Sequence, residues 1–337
     1  MAKKTLTTAK LRAINMKYIA IILLGLLSQQ LNAKPSFEEY LVDLKRQAME
    51  QGYSQDFVEQ VFTGVSYRKK TVKADKNQPE TKITLDTYLA TRVPDWKVKQ
   101  AIGLMTEHKA LLDRVEQQFG VQKRFIVALW GNESNFGKIM GKHSVINSLV
   151  TLAYEGRREA LFKKQLFAAL KILQQKHVKL EDFVGSWAGA MGQSQFMPTS
   201  FNAYAYDFDG DGKKDIWQNP ADVFASIANY LKSAGWDDSL TWGRQVSLPE
   251  DFDYSLAGLD KDKMKRLSEW QELGVRRYDG SDLPGRDVRA SLIMPDDEKG
   301  RIFLVYKNFH SLMNWNRSTY FGSAVGYLSD RINAELN

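Results

Sequence analysis

One segment of the chain, residues 122–134, is apolar on nearly every side of the helix that it would form. It reads QKRFIVALWGNES, and the six consecutive side chains from Phe125 to Trp130 are all apolar. A helix that is apolar all round does not face water and is buried among other elements. The chain must therefore supply further helices to enclose this segment, which predicts a mainly helical domain built around it.

Several flanking segments have the spacing of amphipathic helices. Ser36 and Glu39 form a capping-box pattern that begins one helix, and Gly52 marks its end. Apolar residues recur at helical spacing in four further segments. These predicted helices cover residues 57–62, 98–119, 157–175 and 223–234.

After Trp242 the pattern changes to one that is typical of strands. Val246 and Leu248 alternate with polar residues, and the runs at 290–295 and 301–306 are joined by a polar segment that ends in glycine, which predicts a hairpin. We therefore expect a mainly α (α+β) fold. Its predicted domains are a helical one over 34–239 and 307–337 and a small mixed α/β lobe over 240–306.

The N-terminal 33 residues have the composition of a secretory signal peptide. The apolar run at 18–28 follows Lys17 and is shorter than the roughly 20 apolar residues that a membrane span needs. We predict cleavage after Ala33 and a periplasmic mature chain without a stable membrane anchor. An uncleaved anchor is the alternative, and Met16 is an alternative start.

Charge and cysteine content exclude several kinds of protein. The formal net charge of +7 falls to +2 without residues 1–33, which hold five basic residues and no acid, so nucleic-acid binding is not expected. The chain has no cysteine, which excludes disulfides, thiolate metal sites, a cysteine nucleophile and a lipid-modified cysteine. The basic run at 64–82 predicts a solvated loop, with weak attraction to an anionic wall polymer as the alternative.

Glu133 is the first candidate for catalysis. It ends the apolar helix, where loss of water would raise the pKa of its carboxyl group, because burial disfavours the charged form. A carboxylic acid that is still protonated near neutral pH can donate a proton to a leaving oxygen. The position alone slightly favours the alternative, a glutamate at a frayed helix end.

The segment from Asp207 to Gly212 matches the first half of an EF-hand calcium loop. It places aspartates at positions 1, 3 and 5 and glycine at position 6, where a sharp turn is needed. Position 12 is Gln218 instead of glutamate, so the second half departs from the pattern. The candidate ligands are Asp207, Asp209, Asp211, the carbonyl of Lys213, Asp215 and Asp222. An Asp/Gly-rich turn without a metal is the alternative.

Other motifs carry less information. Residues 185–198 are rich in small residues, which permit either close approach to a ligand or tight helix packing. Arg157 and Arg158 are able to pair with substrate carboxylates, although a double arginine is also common as surface charge. The four histidines lack the spacing of metal ligands, and the sequence has neither a phosphate-binding glycine loop nor a G-x-S-x-G nucleophile motif.

Several ordered blocks together resemble the lytic murein transglycosylase B family (glycoside hydrolase family 103). The resemblance runs from about Tyr88 to Leu328. The blocks are WGNESNFG (130–137), GRR (156–158), GSWAGAMG (185–192), QFMP (195–198), DFDGDG (207–212), ANY (228–230) and WNRS (315–318).

The resemblance implies a lysozyme-like helical catalytic core that cleaves the β-1,4 bond between N-acetylmuramic acid (MurNAc) and N-acetylglucosamine (GlcNAc) in peptidoglycan. It implies that the reaction releases 1,6-anhydro-MurNAc ends without water and uses Glu133 as the single general acid/base. A structural Ca²⁺ in the 207–222 loop is implied as well, with no cofactor for catalysis. The implied substrate contacts are Tyr88, Arg157, Arg158, Ser186, Gln195, Tyr230 and Asn316. Trp315 stands where the family can have tyrosine.

Two other functions stay open at this point. One is a hydrolytic lysozyme with a second carboxylate, for which Glu155, Glu159 and Asp182 are candidates. The other is a peptidoglycan-binding scaffold without catalysis. The expected partners are peptidoglycan glycan strands, with other cell-wall enzymes as further candidates, and the chain is expected to be a monomer.

Overall fold

The computed structural model describes residues 34–76 and 83–336. The predicted signal peptide and its cleavage point lie outside these residues. In the described part of the chain, no helix has both the length and the apolar character needed to cross a membrane. Two compact units are distinguished, the first ending at Glu59 and the second spanning Gln60–Asn337.

Helices dominate the described residues, as the sequence predicts. The α-helices are α1 (Phe37–Glu50), α2 (Gln55–Phe62), α3 (Lys69–Lys76), α4 (Leu85–Arg92), α5 (Asp95–Glu107), α6 (Lys109–Phe119), α7 (Lys123–Ser134), α8 (Val145–Glu155), α9 (Glu159–Gln174), α10 (Pro198–Tyr204), α11 (Pro220–Ser233), α12 (Leu267–Glu272), α13 (Lys307–Trp315) and α14 (Thr319–Leu336). The predicted capping box of α1 is confirmed: the Ser36 hydroxyl accepts a hydrogen bond from the Glu39 N–H at 3.1 Å, and the Glu39 carboxylate accepts one from the Ser36 N–H at 2.8 Å.

Helix α7 lies at the centre of the larger core. Its apolar side chains from Phe125 to Leu129 are fully buried, and helices α5, α6, α11 and α14 pack around it. Neighbouring elements therefore bury every face of this apolar helix, as its sequence requires. This packing fixes the position of Glu133 near the end of the helix.

The predicted helix over 98–119 is instead two helices, α5 and α6. They meet at His108, whose ring makes edge contacts with Trp130 on α7 and Phe224 on α11, at centroid distances of 6.1 and 5.4 Å. The helix breaks at this position, and both of the resulting helices pack against α7.

The basic run at 64–82 also differs from the predicted loop, since α3 forms within it. The lysines of α3 are exposed, as expected for a solvated segment, but Thr71, Val72 and Asp75 are buried on its other face. Burial of that face stabilises a short helix that composition alone did not indicate.

The strands of the described residues form two antiparallel sheets. Strands β1 (His143–Ser144) and β2 (Val184–Gly185) make a two-stranded ladder. The five-stranded sheet has the order β4-β6-β8-β3-β5. Its strands are β3 (Gly243–Ser247), β4 (Lys265–Arg266), β5 (Arg276–Arg277), β6 (Arg289–Ile293) and β8 (Ile302–Val305), and β7 (Pro295–Glu298) lies between β6 and β8 in the chain.

The predicted pairing of the last two apolar runs is confirmed, with Leu292 of β6 opposite Leu304 of β8. The sheet lies within the predicted lobe and has a core of its own around Trp270. However, Phe303 and Val305 belong to the helical core. The lobe therefore shares its packing with the helices, and the division into domains stays a prediction.

Candidate active site

The turn that follows α7 determines where Glu133 points. Asn135 and Phe136 both have left-handed backbone conformations, with φ of 50° and 59°. The Phe136 ring folds back onto Gly131, where a β-carbon would lie only 2.7 Å from the ring. The Ser134 hydroxyl accepts a hydrogen bond from the Gly137 N–H at 2.9 Å. This tight turn ends the helix abruptly one residue after Glu133.

The carboxyl group of Glu133 is in an environment that favours its protonated form. Burial raises the pKa of Glu133 to about 7, while a hydrogen bond from Trp315 and the positive charge of Arg92 oppose the rise. The Trp315 indole Nε1 donates to Glu133 Oε1 at 2.5 Å. Near neutral pH the group therefore exists both as an acid and as a carboxylate, which is what a residue that gives and then takes a proton requires.

A group of aromatic rings surrounds the hydrogen-bonded Trp315. Its indole lies against Phe196 and Tyr230, at centroid distances of 5.2 and 4.7 Å. The Tyr230 hydroxyl donates to the Asn314 carbonyl at 2.7 Å. Asn316, the residue after Trp315, is exposed at the end of α13. The structure thus brings Glu133 and Tyr230 together at one tryptophan, and Asn316 follows that tryptophan in the chain.

The predicted contacts Ser186 and Gln195 lie in the segment that carries Phe196. The Ser186 hydroxyl accepts hydrogen bonds from the backbone N–H groups of Ala188 and Ala190, at 3.3 and 3.0 Å. The Gln195 amide donates to the carbonyls of Met140 and Gly192, at 3.1 and 2.8 Å. These bonds leave the Ser186 hydroxyl proton and the Gln195 amide oxygen available to a ligand.

Tyr88 lies next to Arg92 on α4. The Arg92 guanidinium lies over its ring at 5.7 Å, and Tyr320 contacts the ring edge-on at 5.6 Å. Arg92 donates a hydrogen bond to the Asn132 carbonyl at 3.4 Å, so Tyr88 lies beside a side chain that reaches the end of α7. Its position is compatible with the predicted role.

Arg157 and Arg158 have a partner within the protein. Both form ion pairs with Asp75 of α3, whose side chain is only 8% exposed, and the Arg157–Asp75 distance is 2.8 Å. Arg158 also lies over the Phe162 ring at 4.9 Å. The pair therefore fastens α3 to the start of α9, and a contact between these arginines and substrate stays a prediction.

Two of the three alternative second carboxylates, Glu155 and Glu159, are engaged in other ways, and Asp182 is exposed. Glu155 accepts a hydrogen bond from Tyr67 and lies 3.6 Å from Lys76, and Glu159 lies 3.6 Å from Lys163. Among the described residues, the groups that act on the pKa of Glu133 do not include a second carboxylate. Within the described part of the chain, the charge that acts on the pKa of this acid is therefore the positive charge of Arg92.

The acidic loop has the geometry of a cation site. Carboxylate oxygens of Asp207, Asp209 and Asp211 lie within 4.8 Å of one another. Asp207 accepts hydrogen bonds from the N–H groups of Gly210 and Gly212, and both glycines have the left-handed φ that the turn requires, at 77° and 86°. Three close carboxylates repel one another unless a cation or protons compensate their charge.

The second half of the loop is held by two further aspartates. Asp222, fully buried on α11, accepts hydrogen bonds from the N–H groups of Phe208 and Asp215, at 2.8 and 2.7 Å. Burial raises the pKa of Asp222 to about 6. The Asp215 carboxylate accepts from the Trp217 N–H at 2.9 Å. Asp215 and Asp222 therefore shape the loop, and its hard oxygen donors fit calcium.

Sequence reasoning missed two residues of this region, Arg92 and Gln193, and it named Trp315 without its hydrogen bond to Glu133. Arg92 and the hydrogen bond from Trp315 both act on Glu133 from distant parts of the chain, and no local pattern identified Arg92. Gln193 joins α7 to the acidic loop: its amide oxygen accepts from the Trp130 indole at 2.8 Å, and its amide nitrogen donates to the Trp217 carbonyl at 2.8 Å. The available signal for Gln193 was its position between the family-like blocks at 185–192 and 195–198.

Comparison with known proteins gives consistent matches. The family described as "Transglycosylase SLT domain" matches residues 36–330. Membrane-bound lytic murein transglycosylase B of Escherichia coli is 31% identical over 248 residues, which are 71% of this chain and 64% of that protein. The chain therefore aligns with less than two thirds of the length of this curated relative.

Solved structures are also similar. The structure of SltB3 from Pseudomonas aeruginosa in complex with NAG-anhNAM-pentapeptide has a TM-score of 0.85 and 44% identity, over 88% of this chain and 80% of that one. The Escherichia coli lytic transglycosylase Slt35 in complex with calcium has a TM-score of 0.73 and 24% identity, over 90% of this chain and 94% of that one, and shows the fold alone. The predicted lysozyme-like fold class is confirmed by these neighbours.

Proposed function

The chain belongs to the transglycosylase SLT domain family, as a relative of lytic murein transglycosylase B, and on this basis we propose that it cleaves peptidoglycan without adding water. The proposed bond is the β-1,4 linkage from MurNAc to GlcNAc, and the proposed product is a 1,6-anhydro-MurNAc end. One observation carries the proposal: Glu133 is a buried carboxyl group with a pKa of about 7.

The reaction follows from a single acid/base. Protonated Glu133 gives its proton to the glycosidic oxygen, the bond from C1 to that oxygen breaks, and GlcNAc leaves with a 4-hydroxyl group. The carbonyl oxygen of the N-acetyl group bonds to C1 and carries the positive charge. The Glu133 carboxylate then takes the proton of the C6 hydroxyl, and O6 displaces the acetamido oxygen from C1. Because this nucleophile is tethered, it has an entropic advantage over water.

The absence of a perturbing carboxylate supports this route over hydrolysis. Ordinary glycosidases place two carboxyl groups roughly 5–5.5 Å apart for retention or about 6.5–9.5 Å apart for inversion. At such distances a second carboxylate would disfavour ionisation of Glu133, yet the charge that acts on it is that of Arg92. Glu155 and Glu159 face lysines instead.

The remaining residues have proposed roles in binding. Ser186 and Gln195 would orient the N-acetyl group or the carboxyl group, since each has hydrogen-bonding capacity left after its contacts to backbone groups. Tyr230 and Asn316 would contact sugar rings beside Trp315, and Tyr88 would extend the binding surface. Arg157 and Arg158 would border the groove with the donor groups that Asp75 does not use.

We propose a structural calcium ion in the acidic loop. Its ligands would be the carboxylates of Asp207, Asp209 and Asp211 and the carbonyl of Lys213, with Asp222 and Asp215 holding the loop around them. When bound, the ion would neutralise the carboxylates and stabilise the loop, and it would take no part in bond cleavage.

We also propose that the mature chain acts in the periplasm, where it would meet peptidoglycan glycan strands after cleavage of the signal peptide. Export is testable by the N-terminal sequence of the protein isolated from its native cell. A mature chain that begins at Lys34 would agree with the proposal, and one that begins at residue 2 would contradict it.

The function is tested by mass spectrometry of the products from purified peptidoglycan. Products one water lighter than hydrolytic muropeptides are expected from the wild type, and Glu133→Gln should lose nearly all turnover while it still binds glycan. Glu159→Gln and Asp182→Asn are matched controls and should retain activity. Reducing-end products, or anhydro products from Glu133→Gln at the wild-type rate, would refute the proposal.

A further inference from the structure

We propose that a basic surface cavity beside the β1–β2 ladder binds the carboxylates of the peptide stem that substrate glycan carries. The cavity has a volume of about 710 Å³ and is lined by residues 67–71, 142–144, 147–148 and 184. This inference rests on the proposed function, because it concerns the part of the substrate that is not cleaved. It assigns a ligand class to residues outside the predicted site.

The charge of the cavity is of one sign. Arg68, Lys69, Lys70 and Lys142 line it together with His143, and none of its lining residues is acidic. No ion pair joins any of these four cations to another described residue. Four like charges around one concave surface create a positive potential that attracts anions.

The cavity wall is held in place by hydrogen bonds to α8. The Ser66 N–H donates to the Asn147 side-chain oxygen at 2.9 Å, and the Arg68 N–H donates to the Thr151 hydroxyl at 3.2 Å. These bonds fix the backbone of the segment that carries the cations. A fixed wall reduces the ordering cost that a ligand would otherwise have to offset.

The cavity lies next to a predicted substrate contact. In the antiparallel β1–β2 ladder His143 pairs with Gly185. Continuing the same register by one residue places Lys142 opposite Ser186. The close approach is visible at Gly141, where a β-carbon would lie 2.1 Å from the Gly185 carbonyl oxygen and 2.6 Å from the Ser186 nitrogen. A ligand at Ser186 is therefore about one or two residues of extended chain from the cavity.

A peptide stem has the chemistry and length for this cavity. The structure of SltB3, 44% identical to this chain, contains a NAG-anhNAM-pentapeptide ligand. A pentapeptide extends about 15 Å and ends in a carboxylate. A stem attached to a sugar at Ser186 would thus reach the cavity, where lysines and an arginine would meet its carboxylates.

The test is a triple variant, Lys69→Gln with Lys70→Gln and Lys142→Gln, assayed on soluble glycan chains with and without stems. On stem-bearing chains we expect KM to rise about 10-fold at low salt, since each exposed ion pair contributes modestly, and kcat to stay unchanged. On chains stripped of their stems by an amidase, KM should equal that of the wild type. The KM difference should shrink as salt increases.

Lys99→Gln with Lys171→Gln and Lys179→Gln is the charge-matched control, because these lysines are exposed and do not line the cavity. It should behave like the wild type on both substrates. A direct measurement uses free pentapeptide and the same peptide with amidated carboxylates. The wild type should bind the first more tightly, and the triple variant should bind both weakly.

The outcomes separate this inference from the proposed function. If wild-type protein releases no anhydro ends from either substrate, the proposed function fails. If it does release them but the triple variant loses affinity equally for both substrates, or for neither, the stem-binding site is refuted. Preferential loss of affinity for inorganic phosphate over the peptide would identify a general anion site and also overturn the inference.

Discussion

Glu133→Gln should make the protein more stable at alkaline pH while it removes activity. The folded protein holds the pKa of Glu133 at about 7, against 4.5 for an ordinary glutamate. Such a difference corresponds to about 3 kcal/mol of unfavourable free energy once the folded group is ionised. This is an upper limit, since the residue as a whole has intermediate exposure although its carboxyl group is buried.

The pH window follows from the direction of the shift. Below the unfolded pKa near 4.5, Glu133 is protonated in both the folded and the unfolded state, so it does not lower the free energy of unfolding. As pH rises toward 7 the unfolded state ionises first, so wild-type stability falls until the folded group has ionised too. Glutamine mimics the protonated acid and its carbonyl can still accept the Trp315 hydrogen bond. It therefore avoids this loss.

Thermal unfolding at pH 5 and pH 8 measures the effect. At pH 8 the Tm of Glu133→Gln should exceed that of the wild type by roughly 5 °C. At pH 5 the difference should fall to about a quarter of that value, because the unfolded glutamate is already largely ionised there while the folded group is not. Comparing two proteins that differ at one group cancels the contribution of Asp222, whose pKa is also raised. Glu181→Gln, at an exposed position, is the control. An equal or lower Tm for Glu133→Gln at pH 8 would refute the reasoning.

Three further changes test the site and its supports. Trp315→Phe removes the donor to the Glu133 carboxylate, so the pKa should rise and the alkaline limb of kcat/KM should move up by about one to two pH units; a limb that stays in place would contradict this. Calcium at about 100 times its Kd should stabilise the wild type by about 2.7 kcal/mol and leave Asp207→Asn unaffected, as measured by Tm. Asp75→Asn should lower the free energy of unfolding in urea by about 1–2 kcal/mol, because Arg158 loses its nearly buried partner; unchanged stability would show that the pairing is not structural.

The central helix was predictable because its constraint is local. Six successive apolar residues leave no face for water, so burial of Phe125 to Trp130 follows from sequence alone. The same reasoning predicts that a carboxyl group at the end of this helix loses water and that its pKa rises. The direction of the shift for Glu133 agrees with that expectation.

The partners of Glu133 were not predictable from local pattern. Trp315 is 182 positions away in the chain, and Arg92 reaches the end of the helix from α4. Periodicity describes which face of a helix is apolar, but it does not say which distant side chain meets a given atom. The block around Trp315 indicated a functional position only through resemblance to a family.

Charge composition also misled at α3. A run rich in lysine is typical of a solvated loop, and the lysines are indeed exposed. The helix is fastened by Asp75, whose nearly buried carboxylate forms ion pairs with the more exposed Arg157 and Arg158. A single aspartate such as Asp75 has little effect on the composition of a lysine-rich segment, although its ion pairs help to hold helix α3 in place.

An indole N–H can donate a hydrogen bond but cannot accept one. Trp315 therefore keeps Oε1 of Glu133 as an acceptor in both protonation states, which leaves Oε2 as the oxygen that carries the mobile proton. In the proposed reaction the same atom would release the proton to the leaving sugar and recover it from the C6 hydroxyl. The carboxyl group then needs no rotation between the two half-reactions. Both proton transfers, to the glycosidic oxygen and from the C6 hydroxyl, would take place at Oε2 on the same side of the sugar.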